Sequence, residues 1–313
     1  MKTILKKIAI VCVAIIAFDR VAAYLFMHLI FDKTVSGESG GTINYAIERN
    51  PHLDFLVLGA SRAEHQIDPA ALTALGANSY NLGIDGDNVL ASALILDILV
   101  RNGVRPKTLL LQTDLFEYTT GTTQDMIDQI DRLYPYDTPL IRSYVAKAGL
   151  AEEIKYFFDL YKLNRKMLDV GYNFLKRNSV GTTTGFVPLP PIAVPPQIST
   201  THYAYDDSSV TAQAMPLIKN ICDEYGIRLI VVLPPSYGNS LFDAGGEKHM
   251  TDAFRAEGIT DIVDLADIAK TPTLASADNW RDAEHMDALG AETFSKILNE
   301  KLLLSGYGNG GGK

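Results

Sequence analysis

A serine hydroxyl attacks a carbonyl only when a base takes its proton and a third group holds that base in place. In DFLVLGASRAEHQIDP, residues 54–69, an apolar run breaks into Gly59-Ala60-Ser61. That puts Ser61 just past the end of a predicted strand. The same pattern suits a helix N-cap, or a glycine turn that cradles a dinucleotide phosphate. The dinucleotide reading fails on the next four residues, because Arg62-Ala63-Glu64-His65 brings no second or third glycine. Glu64 would also repel a pyrophosphate. A base for Ser61 must come from six histidines, His28, His52, His65, His202, His249 and His285. His28 lies in an apolar N-terminal segment, His52 precedes the strand, and His65 is too near Ser61 in sequence to turn back on it. His202 and His249 have no acid at a recognisable motif spacing. His285 follows Asp282 by three residues in NWRDAEHMDALG. That spacing lets a carboxylate accept from the ring Nδ1–H while Nε2 faces a nucleophile, although a solvated loop can hold the same two residues.

These residues need a scaffold. Residues 55–58, 79–82, 108–112, 228–233 and 261–265 read as strands. Helical periodicity fills 88–102, 212–225 and 291–304, with Gly103 and Gly226 at C-terminal cap positions. Alternating strands and helices predict an α/β three-layer sandwich with a flavodoxin-like parallel sheet, and ligands bound at the strands' carboxyl ends. Ser61, Asp114 and Glu117 all fall at such ends. Residues 119–207 interrupt the alternation and read as an insertion in the α/β domain, residues 51–305. Its first part is helical, with Lys162, Arg165, Lys166, Lys176 and Arg177 either meeting lipid headgroups or an anionic glycan or forming a solvated face. Its second part, GFVPLPPIAVPPQ, is proline-rich and extended. Residues 306–313 read as a flexible tail.

The N-terminus carries three lysines before an apolar run, residues 8–18, then Asp19-Arg20 and more apolar sequence to residue 31. It reads as a signal anchor over residues 1–31, followed by a linker, 32–50. Cleavage after the small residues 21–23 is the alternative. An anchored reading exports the rest of the chain and places it at a bacterial cytoplasmic membrane, with its bulk periplasmic or extracellular. Asp19-Arg20 then sits near the outer interface or meets a membrane partner. The net charge of −9 argues against a nucleic-acid partner. Neither Cys12 nor Cys222 suggests a disulfide or a metal cluster, and no cofactor is expected.

Three blocks in order, the GAS turn at Ser61, NLGIDGDN after the second strand and DAEH before the last helix, resemble SGNH (GDSL-like) hydrolases. The resemblance covers residues 54–290 apart from the insertion. It implies Ser61 as nucleophile, His285 as base and Asp282 as its orienting acid. The Ser61 amide and the Gly86 amide would be oxyanion donors, though Gly86 also suits a plain turn. Arg62 would contact an acyl donor or a glycan carboxylate, or make a surface salt bridge, and Asp114 is a second candidate substrate contact. The family's third-block asparagine is missing from LLLQTDLFEY, where Gln112 or Thr113 stands nearby. That gap, the single N-terminal anchor and the Pro-Pro pair after the fourth strand are similar to the SGNH-like proteins of alginate O-acetylation and teichoic acid D-alanylation. The implied activity is acyl transfer to a surface polysaccharide beside a membrane-bound O-acyltransferase. The alternatives are an esterase with the same triad and a catalytically weak scaffold.

Overall fold

The computed structural model describes residues 1–49, 52–76, 78–119, 121–164, 166–176, 184–192, 196–198 and 203–307. Arg165, Arg177, His202, the middle of the proline-rich run and the tail beyond Tyr307 lie outside them.

The helices run in chain order from α1 (Lys2–Leu29) and α2 (Gly41–Arg49) to α3 (Ser61–Gln66) and α4 (Val89–Arg101). Next come α5 (Thr123–Ile130), α6 (Pro139–Ala148), α7 (Leu150–Tyr156), α8 (Asp159–Asn164) and α9 (Met167–Leu175). α10 (Val210–Tyr225), α11 (Ala244–Ala256) and α12 (Ala288–Leu304) complete the set. The strands are β1 (Phe55–Leu58), β2 (Ser79–Asn81), β3 (Thr108–Gln112), β4 (Arg228–Leu233) and β5 (Ile262–Asp264).

The chain divides into two compact units, one of Met1–Tyr45 with Thr122–Gly181 and one of Ala46–Gly121 with Thr182–Lys313. The second holds a sheet of five parallel strands ordered β2-β1-β3-β4-β5. β1, β3 and β4 are near-continuous apolar runs because both faces of the sheet are covered. Phe55, Val57, Leu110, Ile230 and Val232 share one core with Ala63 of α3 and Phe294, Leu298 and Leu302 of α12. The alternate residues of each strand turn to the opposite face, where α4 and α10 pack on each other. Chain direction across the sheet reverses at β1, whose successor β2 lies on one side and β3 on the other. The crevice at the carboxyl ends of β1 and β3 is where such sheets bind ligands. Ser61 stands at that crevice.

In the first unit, α1 is long and apolar enough to cross a membrane. The stretch read as linker holds α2, and Asn44 on it donates to the Phe31 and Thr34 carbonyls. The polar Asn44 side chain satisfies two backbone acceptors there, which composition could not foretell. The helical part of the expected insertion shares this unit with α1, whereas residues from 182 onward belong with the sheet.

Candidate active site

Gly59 sets the turn after β1. Its φ is +147°, and a Cβ there would lie 2.7 Å from the Gln112 carbonyl oxygen, so the backbone of β1 can close on β3 only without a side chain. The turn delivers Ser61 as the first residue of α3, with Ala60 at the N-cap and no side-chain cap bond. The helix-cap reading of Ser61 is thereby excluded. Its hydroxyl instead reaches His285 Nε2 at 2.7 Å, across 224 residues of sequence.

His285 Nδ1 lies 3.0 Å from both carboxylate oxygens of Asp282. A carboxylate only accepts, so Nδ1 carries the proton, Nε2 is bare, and the Ser61 hydroxyl donates to it. Burial works against the Asp282 charge. The His285 ring and the Glu284 and His285 amides outweigh it and hold the carboxyl at about 2. The loop itself is pinned on several sides. Trp280 pairs with Met286, and the buried Trp280 indole donates to Leu274 O at 2.7 Å. Gln66 of α3 donates to the Glu284 carbonyl, and the Ser240 hydroxyl to the Ala283 carbonyl, both at 2.8 Å. Gln66 thus ties α3, which opens on Ser61, directly to the loop that carries His285.

Gln112 does not replace the missing asparagine. Its Oε1 accepts from the Ala60 and Ala63 amides at 3.0 and 3.1 Å, and its Nε2 donates to Asp114 at 2.6 Å. The side chain is fully buried and clamps the turn on both sides of Ser61 from behind. The Thr113 hydroxyl is committed to the Tyr118 hydroxyl at 3.0 Å. We expect Gln112→Leu to deprive the buried Ala60 amide of its Gln112 acceptor, while the Ala63 amide keeps the Ala60 carbonyl, at a cost of about 2 kcal/mol. Displacing Ser61 slows its acylation by as much as ~100-fold. A thermal melt and the rate of fluorophosphonate labelling measure the two effects separately.

Arg62 and Asp114 are neither surface groups nor open substrate contacts. Arg62 is 2% exposed; its guanidinium pairs with Asp114 and donates to the Pro235 carbonyl. The second proline of the Pro-Pro pair after β4 therefore ends on the nucleophile's helix. Arg62 makes neither the substrate contact nor the surface bridge that the sequence suggests, because the second residue of α3 points beneath Ser61 into the protein. Burial raises Asp114 to about 6 against the pull of Arg62. Burial, then the Asp114 charge, raises Glu117 well above its usual range. Glu247 of α11 is pushed to about 8 by burial and by Asp114 and Asp264. One arginine cannot balance three carboxylates.

These raised groups fix a pH dependence. A carboxyl that ionises at about 4.5 when unfolded but at about 8 when folded keeps its proton more tightly in the native state. Its stabilisation is complete below about 4.5 and is lost as pH rises through 8. Melting of the full chain in detergent should occur at higher temperature near pH 5 than near pH 8.5. Glu247→Gln should flatten that slope, and an unchanged slope would show that Glu247 is not the group responsible.

Gly86 lies in the exposed turn after β2 with φ +76° and open space where a side chain would project. His65 is not a base for Ser61. Its Nδ1 donates to the Val187 carbonyl at 2.7 Å, and its ring lies 6.1 Å from the His285 ring. Burial, and secondarily the nearby His285, lowers its pKa. His249 pairs with Asp207 and His28 with Asp32.

The proline-rich run is part of the site, which its composition did not reveal. The Asn81 amide donates to Thr184 O, the Val187 amide to Glu64 O, and the Ala288 amide to Leu189 O. The segment thus straps from β2 across α3 to the start of α12. Prolines cannot enter a strand ladder, so the run stays extended and offers its carbonyls to its neighbours. Ile192, Pro196 and Gln197 then wall a cleft of about 490 Å³ whose other side is Arg281 to His285. No protein-family model matches this chain, and no curated protein matches it.

Proposed function

We propose that the chain is a membrane-anchored, extracytoplasmic serine acyl-transfer enzyme of SGNH-like type, acting as an O-acyltransferase on a cell-surface or exported polysaccharide. The single observation that carries this reading is the hydrogen-bonded series Ser61–His285–Asp282 at the sheet's crevice. Ser61 Oγ attacks the donor's acyl carbonyl while its proton passes to His285 Nε2. Asp282 holds the ring and stabilises the imidazolium that forms. The tetrahedral oxyanion is met by the Ser61 amide, which opens α3 where helix amides lack intrahelical acceptors. The Gly86 amide is its proposed companion. Collapse breaks the bond to the leaving group, which takes the proton back from His285. A sugar hydroxyl then gives its proton to His285 and attacks the acyl-serine; the acyl–Oγ bond breaks, Ser61 Oγ takes the proton from His285, and the new sugar ester is released. The cleft walled by the strap is large enough for a sugar ring or two.

An esterase reading uses the same residues and is favoured by the partial exposure of His285 and Asp282, which lets water reach the acyl-serine. Incubation with a chromogenic acetyl ester, with and without an acceptor oligosaccharide, separates the two. Acylated sugar is the expected product, and ester hydrolysis with unmodified sugar would establish the esterase instead. A chain inert to both the ester and a fluorophosphonate would be a scaffold, with a membrane-bound O-acyltransferase as its natural partner.

A further inference from the structure

α1 and α7 are built inside out. On α7 the residues turned inward are Glu152 and Tyr156, and Glu152 is only 3% exposed. The Tyr134 and Tyr161 hydroxyls donate to its carboxylate at 3.0 and 2.9 Å, and Lys155 sits 3.1 Å away. The face opposite Glu152 and Tyr156 is apolar, with Leu150 71% and Ile154 56% exposed and Phe157, just beyond the helix, 52%, while the exposed Glu153 and Lys155 flank it. A helix in water does the reverse. α1 shows the same inversion at its charged pair. Asp19 is 4% exposed and accepts from the Asp159 and Leu160 amides at 2.9 and 3.0 Å, capping the start of α8. Arg20 pairs with Asp159, donates to the Phe157 carbonyl at 2.6 Å and stacks 4.8 Å over the Phe157 ring. Meanwhile Phe18, Val21 and Leu25 face outward.

The length of α1 says what covers these faces. The apolar run Ile8 to Phe18 rises only about 16 Å, and even counted from Ile4 about 22 Å, against the ~30 Å of a bilayer's hydrocarbon. A span that begins at the lysines therefore continues past Asp19, and α8 and the end of α7 lie beside that outer half of α1. Asp19 and Arg20 tolerate that depth because their charges are satisfied within the protein. We infer that the unit formed by α1 and α5–α9 is seated in the outer leaflet, with Leu150, Ile154 and Phe157 against lipid acyl chains. The anchor is then a small helical platform rather than a single helix, continuous with the exposed apolar face of α1.

The test uses the full chain with Cys12→Ser, in proteoliposomes, since the buried Cys222 has its thiol pushed up to about 12 and does not react. Ile154→Cys and, independently, Leu150→Cys carry an environment-sensitive fluorophore. Phe18→Cys serves as the lipid-facing reference and Leu303→Cys on α12 as the water-facing one. We expect doxyl-labelled lipid to quench positions 154 and 150 several-fold more than 303, and aqueous iodide to show the opposite order. Iodide quenching at 154 and 150 equal to that at 303 would overturn the inference. Shielding of both positions from both quenchers would also overturn it, by showing that another protein covers the face.

Discussion

Replacing Ser61 by alanine should abolish fluorophosphonate labelling and lower acyl transfer by about 10⁴-fold or more. The hydroxyl's hydrogen-bond partner is His285 Nε2, so the substitution removes the nucleophile and leaves the base facing empty space. Stability should change by no more than ~0.5 kcal/mol. That second expectation discriminates, because a serine that capped α3 would cost about 1 kcal/mol on truncation. Ser61 lies inside the helix and Ala60 holds the cap position. A thermal melt beside the labelling gel therefore separates the two roles. Labelling that persists in Ser61→Ala would move the nucleophile elsewhere. A melt lowered by several degrees with labelling intact would return Ser61 to a structural role.

Arg62→Met should cost the fold about 3–5 kcal/mol, a large share of the ~5–15 kcal/mol that a domain possesses. The guanidinium lies among Asp114, Glu117 and Glu247, and it also takes the Pro235 carbonyl. Without it Asp114 is a buried carboxylate that has lost its cation and still accepts from the Gln112 amide. The direction of the pH effect is set by the lost cation. Its removal raises the native-state pKa of Asp114 further, so the destabilisation is mildest below about pH 4 and grows as pH rises. Arg62→Met with Asp114→Asn should recover part of the loss, since the carboxylate that pairs with the guanidinium is then neutral as well. Denaturant unfolding of the wild type, both single variants and the double variant yields that coupling directly. Equal instability of the single and double variants would mean that Arg62 acts through packing alone.

Some of this molecule was legible in its residues. The five candidate strand segments did become the five strands, the three central ones as near-continuous apolar runs because a parallel sheet covered on both faces needs them. Gly226 ends α10 with φ +67°, as its place after a periodic segment implied. The Asp282–His285 spacing was readable because a carboxylate three residues before a histidine can reach Nδ1 within one turn of chain. α11 was not read, although Asp243 caps it, because its buried Glu247 and paired glycines blur the apolar stripe.

What the chain determined by itself was therefore local: strand runs, helix ends, the apolar length of α1 and the Asp282–His285 pair. What only the tertiary structure decided was every relation across the sheet. The pairing of Ser61 with His285 spans 224 residues and exists because β1 and the loop before α12 end on the same edge of a parallel sheet. Gln112 and Arg62 looked like a spare donor and a surface charge, and packing turned both inward beneath the nucleophile. The proline-rich run reads in sequence only as an extended part of the insertion, and its backbone bonds to β2, α3 and α12 made it a wall of the cleft. Periodicity records which residues avoid water, but which polar atom meets which is settled only when distant segments exclude water together.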